Sequence, residues 1–229
     1  MNTQTAKEME KTNENRIPRE VYKVLLVGQS GKGKTYSFRN MNEISTGFIN
    51  TELKPLPFRK NFKYHAKPKK FVGLMKALED FEKNEEIKVI VIDSLSAAFE
   101  SLVEEARSLY TNWDVWNYYN KKIGEFMKKV KEINKEIFIT AHYEVLNVEG
   151  APEKRVKAKG KEWEGVIEKE FTIVLYAEDK WKSDTPEYFY RLAGEGMSAK
   201  CPPDMFKDNP IRIPNDANEV YKAILNYTA

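Results

Sequence analysis

Residues 28–35 read Gly-Gln-Ser-Gly-Lys-Gly-Lys-Thr, a complete G-x-x-x-x-G-K-[ST] pattern, and the apolar run Val21-Tyr22-Lys23-Val24-Leu25-Leu26-Val27 leads directly into it. A buried strand, a glycine-rich turn and a short helix, Thr35 to Met41, are expected in that order. In such a turn the backbone N–H groups point inward at phosphate oxygens, beside the positive end of the helix. Lys34 adds a mobile positive charge against β- and γ-phosphate oxygens, and the Thr35 hydroxyl suits Mg²⁺, which prefers oxygen ligands. Gly28, Gln29, Ser30, Gly31, Lys32, Gly33, Lys34, Thr35 and Tyr36 are therefore the candidate contacts to ATP, with Mg²⁺ as its companion.

The 229 residues suffice for one large α/β domain, expected over 21–229. Residues 1–20 mix charges with Asn and Thr, offer almost nothing to bury, and read as a flexible arm. Lys and Arg total 38 against 35 Asp and Glu, so no global charge marks a nucleic-acid binder and any such site must be local. The single cysteine, Cys201, excludes an intrachain disulfide and a cysteine-based zinc site, which fits a reducing cytoplasm. No apolar stretch approaches the roughly 18 residues of a membrane span, so the expectation is a cytoplasmic chain with no membrane partner.

Further along, Gly47-Phe48-Ile49-Asn50-Thr51 reads as a second buried strand ending at Glu52. Phe71 to Phe81 has helical spacing. Ile87-Lys88-Val89-Ile90-Val91-Ile92 is a β-branched run of the kind found in parallel strands covered on both faces, and it ends in Asp93-Ser94. A helix from Leu95 to about Tyr110 precedes a longer one in which Trp116, Tyr119, Ile123, Phe126, Val130 and Ile133 recur at steps of three or four and mark a core face. Glu136 to Ala141 is a fourth strand closing at His142, and Phe171 to Tyr176 a fifth. Lys154 to Glu164 suits a hairpin or a mobile loop, and Tyr188 to Leu192 a strand at the sheet edge. Asn215-Asp216 can cap a last helix, Ala217 to Tyr227, with Val220, Ile224 and Leu225 inward. Alternating strands and helices imply a wound, mostly parallel sheet.

In such sheets the ligand sits beyond the carboxyl ends of the strands. Asp93 ends an apolar strand, where a carboxylate orients waters on Mg²⁺; a helix cap is the alternative for Asp93 and Ser94. Glu52 is placed to polarise the water that attacks the γ-phosphate, unless it is a solvated surface carboxylate. His142 can donate a hydrogen bond to phosphate and sense its loss, or be structural. Lys34, Glu52, Asp93 and His142 are the catalytic candidates, and Thr35 and Asp93 the metal-side pair.

The stretch from Lys54 to Phe71 holds Lys63, Lys67, Lys69 and Lys70 among its cations, lacks any acidic residue, and interleaves Phe58, Phe62, Tyr64 and Phe71. Cations that track phosphates and aromatic faces that stack bases suit single-stranded nucleic acid; a solvated basic face over buried aromatics is the alternative. A second cluster, Lys154, Arg155, Lys157, Lys159 and Lys161, follows His142 and suits contact with a bound strand or with a neighbouring subunit's phosphates.

With these residues in place the chain resembles a RecA-like P-loop ATPase, closest to the phage-encoded, AAA-like, core-only RecA-related single-strand annealing proteins. The resemblance spans Val21 to Tyr227 and rests on the phosphate loop, on Ile49-Asn50-Thr51-Glu52-Leu53-Lys54-Pro55, on Val91-Ile92-Asp93-Ser94-Leu95, on Thr140-Ala141-His142-Tyr143-Glu144, on Lys159-Gly160-Lys161 and on Ile213-Pro214-Asn215-Asp216. It implies a three-layer α/β P-loop NTPase fold with a mostly parallel central sheet and a small antiparallel carboxyl-terminal extension. It also implies a homo-oligomer, ring or filament, with nucleotide at subunit boundaries and DNA near the axis. By the same resemblance Glu52 would be the water-activating carboxylate, Asp93 the magnesium-side carboxylate, and His142 the sensor where bacterial RecA proteins have glutamine. Lys157 to Lys161 would reach the neighbouring site.

The expected function is a Mg²⁺-dependent ATPase that binds single-stranded DNA and promotes annealing or recombination in phage replication, in the host cytoplasm, with a single-strand-binding or replication protein as a possible companion. A nucleotide-gated loading or assembly factor acting on a protein partner is the alternative. A nucleotide kinase is disfavoured, because the arginines form no lid-like cluster.

Overall fold

The computed structural model describes residues 19–160, 162–208 and 210–228. Strands β1 (Lys23–Val27), β2 (Thr46–Asn50), β4 (Val89–Asp93) and β5 (Glu136–Ala141) are buried along their whole length, and this is why their sequences read as continuous runs rather than alternating ones. With the short β3 (Tyr64–Ala66), the long β8 (Ile173–Lys182), β9 (Thr185–Arg191) and β10 (Arg212–Pro214) they form one eight-stranded sheet in the order β10-β9-β8-β1-β5-β4-β2-β3. The six strands from β8 to β3 are parallel, while β9 and β10 add antiparallel pairing beside β8. Strand β5 separates β1 from β4, so the phosphate-loop strand and the Asp93 strand flank a common neighbour. This is the expected three-layer α/β architecture, a mostly parallel sheet with helices on both faces and an antiparallel extension.

Alternate residues of each strand face opposite layers. Leu25, Val27, Ile49, Ile90, Ile92, Ile137 and Ile139 pack beneath α1 (Phe71–Lys83), α2 (Leu95–Leu109) and α3 (Trp113–Glu132). Val24, Leu26, Phe48, Val91 and Phe138 face the 3-10 helix Thr35–Asn40 and α4 (Ala217–Tyr227). The helix α3 buries Tyr119, Ile123, Phe126 and Val130, and Ile133 just beyond its end, as their spacing predicts. Ser94 caps α2 by accepting from Ala97 N at 3.3 Å, and Asp216 caps α4 by accepting from Asn218 N at 2.9 Å. Lys23, buried in β1, donates to the carbonyls of Ile133 and Lys135, both at 2.7 Å, and so closes the end of α3.

Four features differ from the sequence reading. The strand expected at the sheet edge from Tyr188 to Leu192 is β9, which pairs on both sides, and the edge is the short β10. The hairpin after His142 is earlier than Lys154 to Glu164: β6 (Tyr143–Val148) pairs with β7 (Ala151–Val156) in a separate two-stranded sheet, and only the last residues of β7 fall in the predicted segment. β3 emerges inside the basic stretch, where three half-exposed residues give no periodic signal. Residues 1–18 of the predicted arm lie outside the described residues, but Arg19 pairs with the buried Glu136 and donates from Nε to Thr228 Oγ1 at 2.8 Å, so ordered packing begins before Val21.

Candidate nucleotide site

Parallel pairing brings the carboxyl ends of β1, β2, β4 and β5 to one edge. Val27 lies opposite Ala141 and Asn50 opposite Asp93, so the phosphate loop, Glu52, Asp93 and His142 must converge there. They line a cleft of about 480 Å³. Gly28 donates to Ala141 O at 3.0 Å, and a Cβ at this position would stand 2.8 Å from Ala177 O, too close for any side chain. Gly33 has φ +81°, in the left-handed region that glycine tolerates.

Lys34 is buried, and its ammonium donates to the carbonyls of Gly28 at 2.7 Å and Gln29 at 2.9 Å. Burial lowers its pKa to about 8, against the opposing pull of Asp93 and Glu52. Nδ1 of His142 lies 3.5 Å from the same nitrogen. Lys32 turns the other way and pairs with Asp179 on β8, and Gln29 donates to Tyr143 O at 3.1 Å. Ser30, Gly31 and Tyr36 are exposed at the mouth of the cleft.

Asp93 accepts from Thr35 Oγ1 at 2.8 Å on one oxygen and from Thr140 Oγ1 on the other. Burial raises its pKa, while the two hydroxyls hold it down. Of the two readings for Asp93-Ser94, the helix cap falls to Ser94 and leaves Asp93 aimed at the phosphate loop. Among the described residues no group of three or more His, Cys, Asp or Glu could hold a metal unaided. A hydroxyl and a carboxylate in contact form a hard oxygen pair, which fits Mg²⁺ that takes its remaining ligands from phosphate and water.

Glu52 is only partly exposed and engaged on both oxygens, which argues against a merely solvated surface carboxylate. Ser94 Oγ donates to Oε1 at 2.9 Å, Lys54 Nζ donates to Oε2 at 2.8 Å, and His142 Nε2 lies 3.8 Å from Oε1. The imidazole, then Lys54 and Ser94, hold the Glu52 carboxyl well below the usual carboxylate range, against the burial that opposes them. Thr51 tightens the turn by donating to Ser94 O at 2.6 Å, and Ser96 fixes His142 by accepting from its backbone N–H at 2.9 Å. Sequence reasoning missed Thr51, Ser94, Ser96 and Thr140 as partners of these groups. The alternation of β5 was the available signal for Thr140, whereas the others depend on how the strand ends meet.

The basic residues divide. Lys63 precedes β3, at the edge opposite the cleft, and pairs with Glu86. Lys67, Lys69 and Lys70 follow β3 on the cleft edge, exposed and without an ion-pair partner among the described residues; Lys69 and Lys70 share a small pocket with Thr51 and Leu53. Phe62 and Phe71 are core residues, Phe62 stacked on Phe48 with ring centroids 4.9 Å apart, and Phe58 packs on the same cluster. The faces of Phe62 and Phe71 are closed to bases, whereas Phe58 and Tyr64 stay partly exposed and Phe58 lines a pocket with Arg59, Lys60 and Lys67. Arg155 is tied to Glu153 and Ser198. Lys157 starts from a backbone bond to His142 O at 2.8 Å, and Lys159 N donates to Tyr119 OH at 3.1 Å. Lys161 lies outside the described residues.

No helix among the described residues is long and apolar enough to cross a membrane. Among solved structures, the KaiC-like protein PH0186 from the hyperthermophilic archaeon Pyrococcus horikoshii OT3 aligns with a TM-score of 0.49 at 16% identity, covering 78% of this chain and 80% of that one. No curated protein matches. The family model AAA_24, an AAA domain, matches residues 20–200, most of the chain. The chain belongs to this family of AAA domains.

Proposed function

We propose that this protein is a Mg²⁺-dependent ATPase whose turnover is coupled to single-stranded DNA. The observation that supports it most is the convergence, in one cleft, of Lys34 and Thr35 with Asp93, Glu52 and His142. Phosphates entering the loop compete with the Gly28 and Gln29 carbonyls for the Lys34 ammonium. Thr35 and Asp93 would hold Mg²⁺, which supplies charge neutralisation on the phosphate oxygens when bound. Glu52, kept ionised by its neighbours, accepts a hydrogen bond from water and aims its oxygen at the γ-phosphorus. A bond from that oxygen to phosphorus forms as the bond to the β–γ bridging oxygen breaks, the water proton passing toward Glu52, and ADP and phosphate leave.

Single-stranded DNA as the partner rests on Lys67, Lys69 and Lys70, three cations without an ion-pair partner among the described residues, which follow β3 at the carboxyl edge of the sheet where Glu52 follows β2. With Phe62 and Phe71 buried, phosphate tracking carries this reading, and Phe58 and Tyr64 are the aromatics left for a base, which suits a role in annealing or recombination during phage replication in the host cytoplasm. Lys157 and Lys159, beside the His142 turn, suit contact with a neighbouring subunit in a ring or filament. A replication or single-strand-binding protein is a fitting companion.

A second reading, a nucleotide-gated loading factor with a protein partner, is favoured by the exposed Leu109, Tyr110 and Trp113 at the α2–α3 turn. ATP hydrolysis with and without single-stranded DNA separates the two, with Lys34→Ala as the control for contamination. Stimulation by DNA that disappears in Lys34→Ala supports the first reading; turnover indifferent to DNA supports the second.

A further inference from the structure

The γ-phosphate end of the cleft is marked by Glu52, Asp93 and His142, so a nucleoside must leave from the other end, past Gly33 and Tyr36. A second pocket of about 420 Å³ begins there, and Tyr36 and Tyr188 wall both cavities. Planar groups line it: the Arg39 guanidinium lies 4.5 Å from the Tyr36 ring centroid, and that of Arg212 lies 5.4 Å from the Phe189 ring. Planar walls of this kind suit a planar ligand.

One group in this wall lacks partners. Asn215 is buried, 3% exposed, and among the described residues neither Oδ1 nor Nδ2 has a hydrogen-bond partner, although its backbone carbonyl accepts from Arg39 Nη1 at 2.8 Å. The helix cap expected from Asn215-Asp216 is made by Asp216 alone, so the Asn215 amide is left over. Buried amides are almost always paired, and one left open beside a cavity points to a ligand. The amide lies directly under the loop: a Cβ on Gly33 would stand 3.2 Å from Asn215 Oδ1 and 3.1 Å from Tyr188 Cδ1. Tyr188, half-buried, lines the same pocket as Asn215.

We propose that this second pocket is the nucleoside pocket, with the base stacked on Tyr188 and its edge read by the Asn215 amide. The proposal rests on the nucleotide-site reading above. An asparagine amide offers one donor and one acceptor in a plane, which matches the N6-amino donor and N7 acceptor of adenine. The same edge of guanine presents two acceptors and leaves Oδ1 unpaired. The pocket therefore selects ATP over GTP.

Calorimetric titration of the full chain with ATP, GTP and inorganic tripolyphosphate, each with Mg²⁺, tests this. The wild-type protein is expected to bind ATP about tenfold or more tightly than GTP, and more tightly than tripolyphosphate, which has no base. Tyr188→Ala should weaken ATP and GTP by about tenfold more than it weakens tripolyphosphate. Asn215→Ala should bring ATP down to the affinity of GTP without touching tripolyphosphate. Wild-type protein that binds ATP, GTP and tripolyphosphate equally overturns the pocket assignment and leaves the phosphate site standing, whether or not either variant folds. Equal losses for ATP and tripolyphosphate in Asn215→Ala make the residue a support for the loop instead, and overturn its reading of the base. Failure of the wild-type protein to bind any of the three removes the nucleotide site itself.

Discussion

Lys34 and Glu52 lie on either side of one imidazole: His142 Nδ1 is 3.5 Å from the lysine ammonium and Nε2 is 3.8 Å from the glutamate Oε1. An ammonium only donates, so Nδ1 faces it as an acceptor and the ring proton belongs on Nε2, toward the carboxylate. Any ligand that draws Lys34 toward itself changes what His142 offers to Glu52.

Glu52→Gln should therefore leave ATP affinity nearly intact and slow hydrolysis by about 10²- to 10⁴-fold, the range for loss of a positioned base. Lys34→Ala should lose nucleotide binding itself. Parallel measurement of affinity and turnover checks both. Equal loss of affinity in the two variants would remove Glu52 from the role of water activation.

Nucleotide affinity should fall as pH rises above about 8. Burial lowers the Lys34 pKa to about 8 in the ligand-free protein, and phosphate oxygens at the ammonium raise it again. The complex then holds more protons than the free protein above that pH, so by linkage affinity drops, approaching about tenfold per pH unit until the bound-state pKa is passed. A pH-independent affinity from 7 to 9.5 would contradict this.

Single-strand binding should distinguish the two edges of the sheet. Replacing Lys67, Lys69 and Lys70 together with Gln is expected to flatten the dependence of log affinity on log salt by about 2, at about 0.7 per phosphate contact on single strands. Lys63→Gln should change little, because Lys63 already pairs with Glu86 at the far edge. Fluorescence anisotropy over a salt series measures both slopes, and identical slopes in all three proteins would disconnect this edge from DNA.

Phe38 couples the phosphate loop to the sheet. It is fully buried and packs edge-on against Phe48 and Phe138, with centroids 5.7 and 6.4 Å away. Phe38→Ala should cost about 3 to 5 kcal/mol of stability, read as a lower urea midpoint. Little change would mean that the loop helix is held from outside this cluster.

Sequence alone determined the parts of the molecule that repeat a local rule. Parallel strands covered on both faces need continuous apolar runs, so β1, β2, β4 and β5 were legible, as was the core face of α3. The residue that ends each of those runs is forced to the ligand edge, and this made Lys34, Thr35, Glu52, Asp93 and His142 readable before any fold was known. Tertiary structure alone decided which of the basic residues are available. Lys63 and Lys67 are four positions apart in the chain, yet the three residues of β3 send them to opposite edges of the sheet. It also decided that Phe62 and Phe71 belong to the core, because alternation in so short a segment cannot say which face is covered. The meeting of Gly33 with Tyr188 and Asn215 was equally out of reach, since groups more than 150 residues apart touch only through the pairing of β8, β9 and β10 and the placement of α4.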